Sequence, residues 1–163
     1  MGPKPTSASA SVLTRWMGIA EANTAGNVHG GVVMHMCDEV AGIAAVRHSG
    51  RRVVTAAMDR MTFRHAVLVG ALVTVRASVN AAWRTSMEVG VRVESEDVRT
   101  GEITHTSTAY LTMVALDEQG RPVPVAPVSP DSPDAERRAR EAQLRRDNRL
   151  AERQRIREDR ERG

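Results

Sequence analysis

The chain is poor in several residue types at once. Its 163 residues include one cysteine (Cys37), one lysine (Lys4) and four aromatic side chains: Trp16, Phe63, Trp83 and Tyr110. A lone cysteine excludes an internal disulfide framework, and without a C-x-x-C pair there is no structural zinc knuckle. A reduced, cytoplasmic setting suits a single thiol. No run of about 18 apolar residues exists, so no membrane-spanning helix is expected. Met1 to Ser11 is rich in Pro, Ser and Ala with no apolar signal-peptide stretch, which argues against export. With 2% aromatics, a core has to be built from Val, Ala, Met and Leu. Such a small core is marginal alone and favours an oligomer.

Charge is unevenly spread. Residues 1–133 hold 12 Lys+Arg and 12 Asp+Glu, whereas 134–163 hold 11 Arg and 8 acids, so the whole excess of +3 sits in the last 30 residues. The basic balance is a property of the tail and is no argument for nucleic-acid binding by the rest. Arg stands in for Lys almost everywhere, through codon bias or because its planar fork grips phosphate bidentately.

Residues 1–10 read as disordered. A short strand follows from Val12 to about Ala20, and Glu21 to Asn27 reads as a loop. After His29-Gly30-Gly31, apolar positions at Val33, Met36, Val40, Ile43 and Val46 step by three and four, the helical period. The opposite stripe (Met34, Asp38, Ala41, Ala45) is also mostly apolar, which marks a buried helix, and Arg47-His48-Ser49-Gly50 closes it. The period then becomes two: Arg52–Phe63, Ala71–Ala82, Ser86–Glu96 and Glu102–Leu116 read as strands, joined by turns such as Asp97–Gly101 and Asp117–Gly120. One long buried helix followed by long strands predicts an α+β hotdog fold, an antiparallel sheet wrapped around the helix. The expected organisation is a disordered 1–10, a hotdog domain over 11–128, and a linker with a charged, helical or disordered tail over 129–163.

Between Gly30 and Val46 the only charged residues are Asp38 and Glu39. An unpaired carboxylate inside a core costs several kcal/mol, so at least one of them is expected at a cleft or interface. The alternative is an ion pair with Arg60 or Arg64 from a neighbouring strand. Gly30-Gly31 at the helix start leaves backbone N–H groups at a positive dipole end, suited to a developing oxyanion. Asp38 lies seven residues past Gly31 on the same side, an arrangement that suits attack of water on a carbonyl. His29 reads as a cap or as a donor to substrate. His35 and Glu39, at i and i+4, supply too few ligands for a metal, and Cys37 reads as a small core residue.

The blocks Asn23-x₅-His29-Gly30-Gly31-x₂-Met34-x₃-Asp38-Glu39-x-Ala41, Val53-Val54-Thr55-Ala56, Phe63, Thr85-Ser86-Met87-Glu88-Val89 and Ala109-Tyr110-x-Thr112-Met113 on through Gly120-Arg121-Pro122-x-Pro124-Val125 resemble, in order and spacing, the hotdog acyl-CoA hydrolases of the cytosolic long-chain type. The resemblance covers about residues 12–127. It implies thioester hydrolysis at a dimer interface, with dimers assembling further into hexamers. It also implies Asp38 and Asn23 as the functional pair, and Thr55, Thr85 and Ser86 in the coenzyme A site. Arg52, Arg64 and Arg84 are candidate phosphate partners. Gly31 is the candidate oxyanion donor, with His29 and Gly30 beside the substrate. No metal or cofactor is implied, since coenzyme A arrives as part of the substrate. Two departures stand out: Gly70-Ala71 where the family usually has Gly-Asp, and Trp83 where it commonly has Gly before the Arg-Thr-Ser block.

Two other readings compete. A non-catalytic acyl-CoA sensor would act through the tail, whose Glu136/Arg140, Glu141/Arg145 and Glu158/Arg162 pairs favour a helix but whose sparse apolar residues (Leu144, Leu150, Ile156) leave it solvated. On the enzyme reading a chain ending at Pro133 is expected to keep its activity. A hydratase on the same fold would use His35 beside Asp38.

Overall fold

His29 begins the central helix. Its extended backbone (φ −61°, ψ 129°) and a side chain that accepts the Gly31 N–H make it the N-cap of α1, Gly30–Ser49. Gly50 ends the helix in the left-handed region (φ 64°), and its N–H returns to the Val46 carbonyl at 2.8 Å. In this computed structural model, which describes residues 1–162 without the side chain of Arg60, α1 lies against one curled antiparallel sheet. The sheet runs in the order β2-β4-β5-β6-β3, from β2 (Ser11–Trp16), β3 (Arg52–Phe63), β4 (Leu72–Ala82), β5 (Ser86–Asp97) and β6 (Glu102–Leu116). This is the hotdog arrangement expected above, with strand bounds within a residue or two of the alternating runs everywhere except β2.

Alternation decides which face is core. Val73, Val75 and Val79 of β4, Met87, Val89 and Val93 of β5 and Leu111, Met113 and Ala115 of β6 all point inward and are at most 2% exposed. They meet Val33, Met36, Cys37, Val40, Ala41, Ala44 and Ala45 of α1. Three flexible methionines (Met36, Met87, Met113) fill the volume that aromatics occupy in other cores.

The helix is not wrapped all round. Met34, Ile43 and Val46 are 41–46% exposed, although Ile43 and Val46 share the apolar period of the buried residues. One curled sheet covers only one side of a helix, so the other side of α1 is open in the single chain. It continues onto the edge strand β3, where Val54 and Phe63 are exposed.

The first ten residues, read as disordered, are held. Lys4–Pro5 forms β1, parallel to β7 (Val128–Ser129), and Thr6–Ser9 makes a 3₁₀ turn with Thr6 and Ser9 buried. Lys4 Nζ donates to the His48 carbonyl at 2.6 Å, and the Ser9 hydroxyl accepts the Val79 N–H at 2.9 Å. These are single polar anchors, invisible to a hydropathy pattern. His48 is fully buried at the other end of α1: Nε2 bonds the Ala126 carbonyl at 2.8 Å, and Nδ1 has no partner.

The tail is also more than a solvated segment. Ser132 caps α2 (Pro133–Arg162) through a bond from the Ala135 N–H to its hydroxyl, with Pro133 at the first position and Asp134 and Glu136 in the first turn. Ala135 and Ala142, two turns apart, are buried against the outer sheet face. Arg145 then reaches the fully buried Glu88 of β5 with two bonds, 2.7 and 3.1 Å, and stacks 3.6 Å above the Tyr110 ring. Asn80 gives Glu88 a third bond at 3.1 Å. Its amide fits only because residue 90 is glycine: a Cβ there would stand 2.5 Å from Asn80 Nδ2. Arg149 pairs with Asp59 of β3. Of the three i,i+4 pairs read from the sequence, Glu141/Arg145 is seen, at 3.9 Å. Beyond Arg149 the helix runs free of the sheet, with Leu150 and Ile156 about half exposed. Among the described residues no helix is long and apolar enough to cross a membrane.

Two outcomes follow from these packings. Arg145→Ala leaves the Glu88 carboxylate buried without its cation and should cost about 3 kcal/mol, read as a lower urea midpoint. The double variant Glu88→Gln/Arg145→Leu should recover most of that loss, and a chain ending at Pro133 should be destabilised in the same way. For His48, burial lowers its proton affinity below the ordinary value of 6.5, and a second ring proton would find no acceptor at Nδ1. The unfolded chain therefore binds that proton more readily. Stability is complete above about pH 6.5 and is lost as pH falls below it, and His48→Gln should remove this part of the slope in denaturant titrations run from pH 8 to 5.

Candidate active site

Asp38 projects from the middle of α1 at the border between the buried stripe and the open side, and is half-buried. The Thr55 hydroxyl on β3 donates to its Oδ1 at 2.5 Å. Thr55 itself sits over Met113 Sδ, at 3.4 Å, because Thr55 and Met113 are register partners across β3 and β6. Among the described residues no salt bridge reaches Asp38, so the ion-pair alternative finds no support at Arg64, and the Arg60 side chain lies outside the described residues. One carboxylate oxygen is thus oriented by a hydroxyl and the other is left for a further partner. Glu39 is exposed and faces His35 at 3.6 Å. Cys37, next to Asp38, is fully buried; burial first, and then the Asp38 charge, push its thiol up to about 12. It is inert core, as read from the sequence.

The helix start differs from expectation in one respect. The Gly31 N–H is not free: His29 Nδ1 accepts it at 3.0 Å. A Cβ on Gly31 would come within 3.2 Å of that imidazole, and one on Gly30 within 3.4 Å of the Phe63 ring. Both glycines keep this end of the helix open at the backbone.

Asn23 lies in the loop before α1, which is closed by the Ala22–Val28 bridge and by the Asn23 N–H to the Asn27 carbonyl at 2.7 Å. Its Oδ1 accepts the Ala25 and Asn27 N–H groups at 2.9 and 3.2 Å. That fixes the amide orientation and leaves the NH₂ end to donate outward. Within one chain Asn23 makes no hydrogen bond to Asp38.

The block Trp83–Ser86 is the tight connection between β4 and β5. Three backbone bonds pin it: Trp83 N–H to Ser86, Ala115 N–H to Thr85 and Val125 N–H to Arg84, at 2.8–3.1 Å. Arg84 is exposed, while Thr85 and Ser86 are half-buried. Ser86 pairs with Val114 on one side of β6 and Thr55 with Met113 on the other, so their backbones lie about two strand spacings apart, roughly 10 Å, at one end of the sheet, with the two hydroxyls on opposite faces. The single chain thus ties Asp38 to Thr55 and starts the same helix at His29–Gly31, two turns earlier, while Arg84–Ser86 and Asn23 make no hydrogen bond to Asp38. Sequence reading missed that α2 packs on this block: Trp83 Nε1 donates to Gln143 at 2.9 Å and Arg146 lies over the indole at 4.4 Å. The only sequence signal was a tryptophan at an unusual place.

Comparison with known proteins bears on this geometry. Residues 25–102 match the family model described as Thioesterase superfamily. Protein VdlD of Helicobacter pylori is 43% identical over 104 residues, 64% of this chain and 59% of its own length, so the chain spans about three fifths of that relative. A hexameric acyl-CoA thioesterase, solved in its apo form, superposes with a TM-score of 0.90 at 37% identity, covering 93% of this chain and 97% of the other. An acyl-CoA hydrolase from Staphylococcus aureus, solved with butyryl coenzyme A, coenzyme A and coenzyme A disulfide, superposes with a TM-score of 0.88 at 32% identity over 95% of this chain and 94% of its own. The same enzyme has been solved with an aspartate, an asparagine or a threonine replaced by alanine. With its curled sheet, single helix and these full-length likenesses, the chain belongs to the thioesterase superfamily, among the hotdog-fold acyl-CoA thioesterases.

Proposed function

We propose that this protein hydrolyses acyl-CoA thioesters to a free acid and coenzyme A, in a site completed by a second copy of the chain. The observation that carries the proposal is Asp38: a half-buried carboxylate beside the apolar stripe of α1, tied by Thr55 and without a cation among the described residues. A carboxylate placed in this way is suited to act as a base for water. Support comes from the Staphylococcus enzyme, whose three substituted residues stand fifteen and then seventeen positions apart, the intervals from Asn23 to Asp38 and from Asp38 to Thr55.

In this reading Asp38 takes a proton from water as the water oxygen bonds to the thioester carbonyl carbon. The carbonyl electrons move onto oxygen, and the resulting oxyanion takes the Gly31 N–H in place of His29 Nδ1, at the positive end of α1. Collapse re-forms the carbonyl and breaks the carbon–sulfur bond. Coenzyme A, whose thiol has an acidity near that of cysteine, leaves as a thiolate and takes back the proton held by Asp38, giving the free thiol and the acid. Asn23 of the facing copy orients the water or the thioester through its free NH₂. Thr55, His29, Gly30, Arg84, Thr85 and Ser86 line the path of the coenzyme.

The second copy would cover the open side of α1 and the unpaired edge of β3, where Met34, Ile43, Val46, Val54 and Phe63 are exposed. Burying a face of this size is the usual reason such a surface persists, and further assembly of dimers into a hexamer is part of the proposal. A sensor would act through the charged tail, whose first half is docked on the sheet. We also place the protein in the cytoplasm.

Thiol release from acyl-CoAs of several chain lengths tests this directly. Asp38→Asn should lower kcat by about 10²–10⁴-fold with an unchanged melting curve, and Asn23→Ala should lower it while leaving the subunits associated. Unaltered turnover in Asp38→Asn would remove Asp38 as the base. Ile43→Glu should dissociate the assembly in sedimentation and abolish turnover together, because the site needs two copies.

A further inference from the structure

Arginines crowd the docked half of α2, and nearly all are spoken for. Arg137 pairs with Asp134 and Glu141, Arg138 with Asp134, Arg145 with Glu88 and Arg149 with Asp59. Arg140 is exposed to solvent. Arg146 is different: it is half-buried and has no carboxylate partner among the described residues. Its guanidinium carbon lies over Trp83, 4.4 Å from the ring centroid, with Nη1 3.5 Å from Ser86 Oγ. Gln143 locks the indole in turn. On the same rim the Arg84 side chain is exposed and Ser86 offers its hydroxyl. Of the carboxylates bonded to this block, Glu88 is held by Arg145 and Asn80 and Asp147 by Gln143, and neither pairs with Arg146.

From this we infer that Arg146, held on Trp83, is a binding residue for a phosphate of the coenzyme, with Arg84 and Ser86 as its companions. Stacking on the indole occupies the face of the guanidinium and leaves its in-plane donors available, the geometry that bidentate phosphate recognition needs. Ser86 and Thr55 lie about two strand spacings apart along the backbone, with their side chains on opposite faces of the sheet, since their partners Val114 and Met113 are neighbours on β6. The coenzyme carries its phosphates at the far end of a pantetheine arm, so the arm would pass round this end of the sheet and set the phosphates on the outer face beside α2. The C-terminal helix would then be part of substrate recognition and not only a brace on the sheet. This inference rests on the acyl-CoA reading above, and it assigns to the chain a contact made from outside the hotdog core.

The test compares acyl-CoA with the matching acyl-pantetheine, which has no phosphate, using the full chain. Arg146→Gln should raise KM for acyl-CoA about tenfold or more while kcat stays within twofold. Both constants for acyl-pantetheine should stay as in the wild type, and Arg146→Lys should recover part of the loss. 3′-Dephospho-CoA thioesters separate the two ends of the nucleotide: a KM ratio that survives without the 3′-phosphate assigns Arg146 to the pyrophosphate. An unchanged KM for acyl-CoA, or an equal loss on both substrates, would overturn the inference and leave Arg146 as a clamp for α2. If the wild-type protein turned over neither thioester, the hydrolase reading itself would fall. Calorimetric titration of wild type and Arg146→Gln with coenzyme A would then still decide the phosphate contact, a tenfold weaker variant supporting it and equal affinities rejecting it.

Discussion

One sheet can curl around one side of a helix and no more. Every other feature of this molecule follows from how the chain treats the side of α1 left over. The buried side is a dry packing of valine, alanine and methionine. The open side carries Met34, Ile43 and Val46, with Asp38 at the border between the two. A carboxylate at such a border is partly covered and still reachable from outside the core. Thr55 reaches it because β3 is the edge strand beside the helix, and its hydroxyl faces the same side as Met113. On its other side β3 has no neighbouring strand in the chain.

Most of the fold was legible in the residue pattern. Period two in β4, β5 and β6 is nearly unbroken because one face of each strand is core and the other is not. Helix α1 was legible from its period and its stop, but not its orientation. Ile43 and Val46 are as apolar as Val40, and composition does not say which side the sheet takes. The two ends of the chain were misread for a different reason. Ser9, Lys4 and Ser132 anchor backbone through single polar contacts. The buried face of α2 consists of two alanines followed by arginines on Tyr110, Trp83 and Asp59. A helix docked through alanine and guanidinium looks, to a hydropathy count, the same as one left in water.

The site was legible in its residues more than in its contacts. Asp38 stood out because a charge on a buried helix needs a reason. The Thr55 partnership needed the β3–β6 register, which alternation alone does not supply. The helix start was correctly marked by its glycines, but His29 closes one of the donors that Gly31 was read as offering. Asn23 was identified by resemblance alone. Its observed bonds explain why an asparagine suits that loop: one end of the amide folds the turn, so the other end has a defined direction. Arg146 carried no signal at all in a stretch where every third residue is arginine.

Cys37 sits one position before Asp38, beside a reaction that would set free another thiol at every turnover. Exchange between sulfur atoms requires a thiolate, and a side chain without solvent contact whose proton is held to about pH 12 supplies none. Mixed disulfides with coenzyme A, alkylating reagents and peroxide should therefore all spare this residue while the fold is intact, and its modification would report unfolding instead of catalysis.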